Sequence, residues 1–199
     1  MQSPHHAAMR LYTAQNQRLY LNAQELARFL AAAQEAPAAQ RRFALMLAYT
    51  GMRLSEARAL TGDALQLEAR IVSVRTLKKR GQHQVREIPI PHELVAEFAF
   101  QCFAPDELIW SQRNRVIPRS RAYRWIKSLM VRAGITGPKA CPKGLRHAFG
   151  ARAIMAGVPL HMLQRWMGHA SMETTAIYAT VLGPDQLGIA DRMWGPSSP

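Results

Sequence analysis

The amino-acid sequence predicts a mainly α-helical domain with a small antiparallel β-sheet, an α+β arrangement, and three observations lead there. Several stretches place apolar residues at helical spacing, YLNAQELARFLAAAQ and RAYRWIKSLMVRAG among them. One segment, RIVSVRTLKKRGQHQVREIPIP, instead sets apolar and β-branched residues on either side of a basic centre holding Gly81. The chain length of 199 residues, with 48% hydrophobic content, suits one medium domain that buries a core.

In chain order, residues 1–20 show no clear period and read as an N-terminal arm. The first helix opens after Asn22, a good cap. Glu25 stands at the reciprocal capping-box position, and Leu26, Phe29 and Leu30 form the apolar stripe. QRRFALMLAYTGMR reads as a buried helix ending near Gly51, and LSEARALTGDAL restarts a helix after a sharp turn. The β-hairpin follows, ended by Pro89 and Pro91, with a cationic tip. Helices return with ELVAEFAF, RAYRWIKSLMVRAG, LRHAFGARAIMAG and LHMLQRWMG, then a short one around Tyr178. Trp110, Trp125 and Trp166 fall on apolar stripes and read as core or groove packing. No internal repeat is visible. The expected division is an arm over 1–20, one main domain over 21–183, and a C-terminal helix and tail over 184–199.

Charge sets the class of partner. With 26 Lys plus Arg against 13 Asp plus Glu, the net charge is +13 and the pI about 10.8. Such an excess calls for an acidic partner, nucleic acid first and an anionic membrane second. No apolar run approaches the ~20 residues that span a bilayer, and MQSPHHAAMR lacks the apolar stretch of a signal peptide. Cys102 and Cys141 form neither a disulfide framework nor a zinc-ligand spacing. The expectation is a reduced, cytoplasmic, nucleoid-associated protein without a structural metal.

Placement singles out a few of the basic residues. Arg53 lies in a tight turn inside an apolar stretch, with Glu56 three residues on to hold its guanidinium. Alone, that would be a structural ion pair. Arg146 opens a second apolar helix, with Lys143 one turn earlier and His147 beside it, and His169 follows a glycine at a helix junction where Ser171 can cap the next helix. The hairpin tip offers Lys78, Lys79 and Arg80. Two arginines, a lysine and a histidine are the donors one gathers around a phosphate, and each arginine can grip two oxygens. Together they offset charge developing in a pentacoordinate transition state. Tyr178 completes the set as a nucleophile, provided that cations or a base favour its phenolate. Attack on a DNA phosphodiester would expel a deoxyribose hydroxyl, for which Lys78 is a proton donor, and neither metal nor other cofactor is required. Arg113, Arg115, Arg119, Arg121, Arg124 and Lys127 crowd into RNRVIPRSRAYRWIK. They read either as a solvated face or, on a DNA enzyme, as a stripe along the duplex backbone.

The blocks AYTGMRLSEARAL, TLKKRGQHQVREIPIP and GLRHAFGARAIMAGVPLHMLQRWMGHASMETTAIYA resemble those of the tyrosine recombinase (phage-integrase) family, in that family's order, over about residues 22 to 183. The last block is the most specific: Arg-His opens a helix, Gly-His follows 23 residues after the arginine, and a tyrosine stands 9 further on. The resemblance implies the tyrosine-recombinase catalytic-domain fold. It also implies site-specific recombination of double-stranded DNA through a covalent 3′-phosphotyrosine, as in integration, excision, inversion or resolution. By position, Arg53 and Arg146 resemble the phosphate-clamping arginines and Lys78 the hairpin lysine that protonates the leaving 5′ hydroxyl, with Lys79 as a substitute. His169 resembles the phosphate-binding histidine, Tyr178 the nucleophile and Glu56 the acidic buttress of the first arginine. The resemblance further implies a homo-oligomer on DNA, a tetrameric synapse, and leaves open whether an accessory protein is a further partner.

Two departures stand out. Lys143 occupies a position where the family most often has histidine, which leaves open the base that activates Tyr178. Only some twenty residues precede the catalytic region, where most members carry a helical domain that completes a DNA clamp. In that size the chain is similar to fimbrial phase-switch invertases and short mobile-element integrases. After the tyrosine, Leu187, Ile189, Met193 and Trp194 suit an amphipathic helix that packs on its own domain or, by the resemblance, docks in trans. The rival readings are a type IB topoisomerase, which relaxes DNA with a similar residue set, and a non-catalytic DNA-binding or architectural relative.

Overall fold

A computed structural model describes residues 10–77, 83–112 and 115–181. Helix α1 (Ala23–Gln34) starts where the sequence places it. The Asn22 side chain accepts from Glu25 N at 2.8 Å and the Glu25 carboxylate accepts from Asn22 N at 2.9 Å, closing the capping box. Helix α2 (Ala38–Thr50) is apolar on nearly every side, and Phe43 to Ala48 are all buried, so it runs through the centre of the core. It ends at Gly51, whose φ of 60° reverses the chain. A Cβ there would lie 2.4 Å from the Phe149 ring, so only glycine fits.

Helix α3 (Leu54–Arg58) is shorter than LSEARALTGDAL suggests. The chain leaves the helix because the Leu60 carbonyl accepts from Ile109 N and Thr61 forms a β-bridge with Leu108, and only a short 3₁₀ turn at Gly62–Ala64 follows. Strands β1 (Leu65–Gln66), β2 (Ile71–Leu77) and β3 (His83–Pro89) make an antiparallel sheet in that order. Val72 faces Ile88 and Val74 faces Arg86 across it, and all four side chains are buried, so Arg86 sits in the inward row. The cationic tip of the hairpin lies outside the described residues. Helix α4 (His92–Phe98) follows. The ribbon β4 (Ser111–Gln112) and β5 (Arg115–Val116) adds a second small antiparallel pair that the sequence does not announce.

The remaining helices are α5 (Arg119–Arg132), α6 (Pro142–Met155), α7 (Leu160–Met167) and α8 (Met172–Ala176), followed by a 3₁₀ turn at Ile177–Val181. Helix α6 begins on Pro142, at a position where the missing N–H costs nothing. Ser171 caps α8 by accepting from Glu173 N at 3.1 Å. Two clusters form the interior. The larger gathers α1 to α6 and the sheet, with Trp110 edge-on to Phe43 at 5.0 Å and Trp125 edge-on to it at 5.7 Å. The smaller joins Phe149, Ala153, Ile154, Leu163 and Met167 to Leu11 and Tyr178, so Leu11 and Tyr20 pack with α6 and α7. Among the described residues no helix is long and apolar enough to cross a membrane.

Candidate functional site

The site forms where α2, α3, β3, α6 and α7 meet, and one carboxylate and one helix end organise it. Glu56 accepts from the backbone N of Arg53 at 2.7 Å and from its Nη1 at 3.0 Å. The same carboxylate accepts from Arg86 Nη2 at 2.7 Å and Nη1 at 3.2 Å. Burial alone would raise the Glu56 carboxyl. Arg86 and then Arg53 outweigh it and hold the group below the usual carboxylate range.

The C-terminal end of α7 presents consecutive carbonyls, each met by an arginine from a different element. Arg86 Nε donates to Trp166 O at 2.8 Å, Arg146 Nη2 to Met167 O at 2.7 Å and Arg53 Nη2 to Gly168 O at 3.3 Å. These are the carbonyls a helix leaves unpaired, at the negative end of its dipole. Gly168 then turns the chain with φ 63°, and a Cβ there would stand 3.0 Å from the Arg86 guanidinium. Arg146 also donates Nη1 to Gly51 O at 2.7 Å, so Gly51 and Gly168, each left-handed, are tied to the same cluster. Burial, then the neighbouring Arg53, lowers Arg146 to about 10, and the guanidinium stays charged at neutral pH.

Arg53, Lys143, Arg146 and His169 line one groove of about 480 Å³, with Arg119 and Tyr123 from the start of α5 on its wall. The four polar residues expected to surround a phosphate are thus brought together. Arg53 keeps 42% of its side chain exposed, whereas Arg146 is buried. His169 is held down to about 3 by burial, then by Arg146 and Arg53, so its ring is neutral. Its Nε2 is buried without a hydrogen-bond partner among the described residues.

Tyr178 is placed differently. Its side chain is fully buried and its hydroxyl lies 3.0 Å from Nδ1 of His147, on the interior side of α6. The ring fills the space over Gly150, where a Cβ would come within 2.4 Å of Tyr178 Cζ. The His169 ring runs parallel to it at 6.4 Å. Burial raises the Tyr178 phenol well above its ordinary value, and the Arg146 charge only partly opposes this. Burial, then Lys143 and Arg146, lowers His147 to about 3. A neutral His147 therefore meets a protonated phenol.

The remaining expected residues divide. Lys78, Lys79, Arg80 and Arg113 lie outside the described residues. Arg115 and Arg124 are exposed, and Arg121 lies over the Trp125 ring at 5.4 Å. Lys127 turns inward and donates to Ala140 O at 2.9 Å, which fastens α5 to the loop before α6. Sequence reasoning passed over Arg86. Its signal was strand parity, because in VREIPI it shares a face with Ile88 and Ile90, where an ion needs a buried partner. Thr175 was passed over as well, since nothing in TTAIY separates it from Thr174.

Known proteins share this chain's sequence and fold. The model of the phage integrase family matches residues 19–183. Tyrosine recombinase XerD of Haemophilus ducreyi is 32% identical over 148 residues, covering 68% of this chain and 48% of that protein. Tyrosine recombinase XerA of Pyrococcus furiosus is 32% identical over 145 residues, covering 69% of this chain and 48% of that protein. The chain thus spans about half the length of these curated relatives. The crystal structure of a XerA recombinase superposes with a TM-score of 0.72 at 27% identity, over 90% of this chain and 66% of that one. A XerH recombinase bound to its palindromic difH substrate, in a post-cleavage complex, shares the fold with a TM-score of 0.68 at 22% identity, over 88% of this chain and 53% of that one. With the family match running from the capped first helix to just beyond Tyr178, this chain belongs to the phage integrase family, the tyrosine recombinases.

Proposed function

We propose that the chain carries the catalytic domain of a site-specific DNA recombinase that cuts and rejoins double-stranded DNA through a covalent phosphotyrosine. The observation that carries this reading is the convergence of Arg53, Lys143, Arg146 and His169 on one groove. A phosphodiester there receives charge-assisted hydrogen bonds from both arginines, and they strengthen as negative charge builds on the non-bridging oxygens. Lys143 donates to the same anion. Glu56 and Arg86 act by holding Arg53 and the end of α7.

In the proposed step Tyr178 Oη attacks phosphorus, the bond to the 5′ oxygen breaks, and the 3′ phosphate remains on the tyrosine. The phenol gives its proton to a base or to water at the groove, and the 5′ oxygen gains one from Lys78. Reversal by a 5′ hydroxyl from the partner duplex completes the exchange. The bond energy is retained in the phosphotyrosine, so no nucleotide cofactor enters. The hydroxyl must first leave His147 and pass from the interior of α6 to the groove, which gives up a hydrogen bond worth about 1 kcal/mol and the burial of the ring as well. DNA is the partner this positive surface suits, with two protomers on each of two sites. Arg115, Arg119 and Arg124 add affinity along the backbone.

A two-site plasmid tests the reading. In EDTA, the protein should exchange strands between two copies of its own recombination site and leave a plasmid without sites supercoiled. Relaxation of both plasmids with no exchange would instead make it a topoisomerase, and binding without either would make it a non-catalytic DNA-binding protein.

A further inference from the structure

His169 is held from behind. Its Nδ1 lies 2.9 Å from the Thr175 hydroxyl oxygen, while its buried Nε2 has no hydrogen-bond partner among the described residues. His169 lines the groove beside Arg53, Lys143 and Arg146. Thr175 is itself fully buried and reaches the ring from α8, on the far side of the turn capped by Ser171.

A neutral imidazole has one N–H, and the partner of one nitrogen decides which nitrogen carries it. The neutrality follows from burial and from the adjacent Arg146 and Arg53 guanidiniums. The Thr175 hydroxyl has one hydrogen to give. Directed at Nδ1, it keeps that nitrogen unprotonated and leaves the ring hydrogen on Nε2. The other tautomer would turn a lone pair toward any anion in the groove and leave a buried acceptor unmatched.

We propose that Thr175 is a positioning residue that fixes His169 as the Nε2–H tautomer, so that Nε2 donates to a non-bridging oxygen of the phosphate between Arg53 and Arg146. The assignment rests on the reading of the groove as a phosphodiester site. Thr175 contacts no substrate and acts only through the ring. Valine has the same shape without the hydroxyl, and serine restores the hydroxyl without the methyl.

The experiment uses the full chain labelled with ¹⁵N-histidine. Long-range ¹⁵N–¹H correlation spectra read the His169 tautomer, and single-turnover cleavage of a nicked duplex is compared among wild type, Thr175→Val and Thr175→Ser. In wild type, His169 Nδ1 should resonate as an unprotonated nitrogen and Nε2 as a protonated one. Thr175→Val should lose that preference and cleave about tenfold more slowly or worse, with DNA affinity unchanged, and Thr175→Ser should recover most of the rate. The proposal is overturned by a protonated Nδ1 in wild type, by wild-type cleavage in Thr175→Val, or by serine doing no better than valine when both melt like wild type. The wild-type spectrum decides the tautomer even if the valine variant does not fold. Absence of a covalent adduct in wild type would remove the phosphodiester reading instead, and the spectra would still decide what Thr175 does to the ring.

Discussion

The Tyr178 hydroxyl sits 3.0 Å from Nδ1 of His147, whereas Arg146, one residue earlier on α6, lines the groove. Neighbouring positions on a helix point about 100° apart, so a single turn of α6 serves both sides. One side grips the groove and the other stores the phenol. That form is protonated, neutral and dry, so the proposed attack requires the segment after α8 to move.

Gly150 is the floor of that store. A methyl group there would stand 2.4 Å from the Tyr178 ring, too close for any repacking of the ring in place. Gly150→Ala should cost about 1–3 kcal/mol of stability through overpacking. It should also expel the tyrosine, seen as several-fold faster nitration of Tyr178 by tetranitromethane, mapped by mass spectrometry. Unchanged nitration with unchanged stability would show that the ring does not rest on this glycine.

Glu56 should matter more for stability than an exposed carboxylate does. Its side chain is 9% exposed and that of Arg86 is 7% exposed, so Glu56→Ala takes the carboxylate away from a buried guanidinium that keeps its bond to Trp166 O. A loss of about 3–5 kcal/mol in urea unfolding is expected. Replacing both partners, Glu56→Leu with Arg86→Met, should recover much of that stability while leaving Arg53 unsupported and cleavage impaired.

Acid should weaken the fold before ordinary carboxylates titrate. His147 and His169 both fall from an ordinary value of 6.5 to about 3, through burial first and neighbouring cations second. A depressed folded-state value means that the unfolded chain binds more protons between those limits. The stabilisation is therefore complete above the unfolded value and is lost as pH falls toward the folded one. Unfolding free energy measured between pH 7 and pH 5 should decline, and His147→Asn, which keeps an acceptor near Tyr178 but does not titrate, should flatten the decline. Equal slopes would remove His147 from this account.

Lys143 stands at the groove without a hydrogen bond to the arginine–carboxylate cluster, whereas Arg146 holds Gly51 O, Met167 O and the groove wall together. Lys143→Ala should slow cleavage less than Arg146→Ala, by about tenfold against a thousandfold or more. Equal and complete losses would give Lys143 the role of base for Tyr178.

Much of this was legible in the chain. The capping box at Asn22 and Glu25, the buried α2 helix and the hairpin are local or periodic features, and they emerged within a few residues of their expected bounds. The groove residues were legible as a donor set because chemistry restricts which side chains bind a phosphate. The short α3 helix was not, because the contacts that end it come from Leu108 and Ile109, far along the chain. Arg86 went unnoticed because its inward placement depends on the register of β3. The partnership of His147 with Tyr178 depends on how the last turn folds over α6, and no spacing in the sequence encodes that contact.

The central claim is that Tyr178 is the nucleophile despite its burial. A nicked suicide duplex bearing the recombination site, incubated with the protein in EDTA, should trap a covalent protein–DNA adduct that resists denaturation. Peptide mapping should place the DNA on Tyr178, and Tyr178→Phe should bind the duplex but form no adduct. An adduct from Tyr178→Phe, or one mapped to any other residue, would contradict the account.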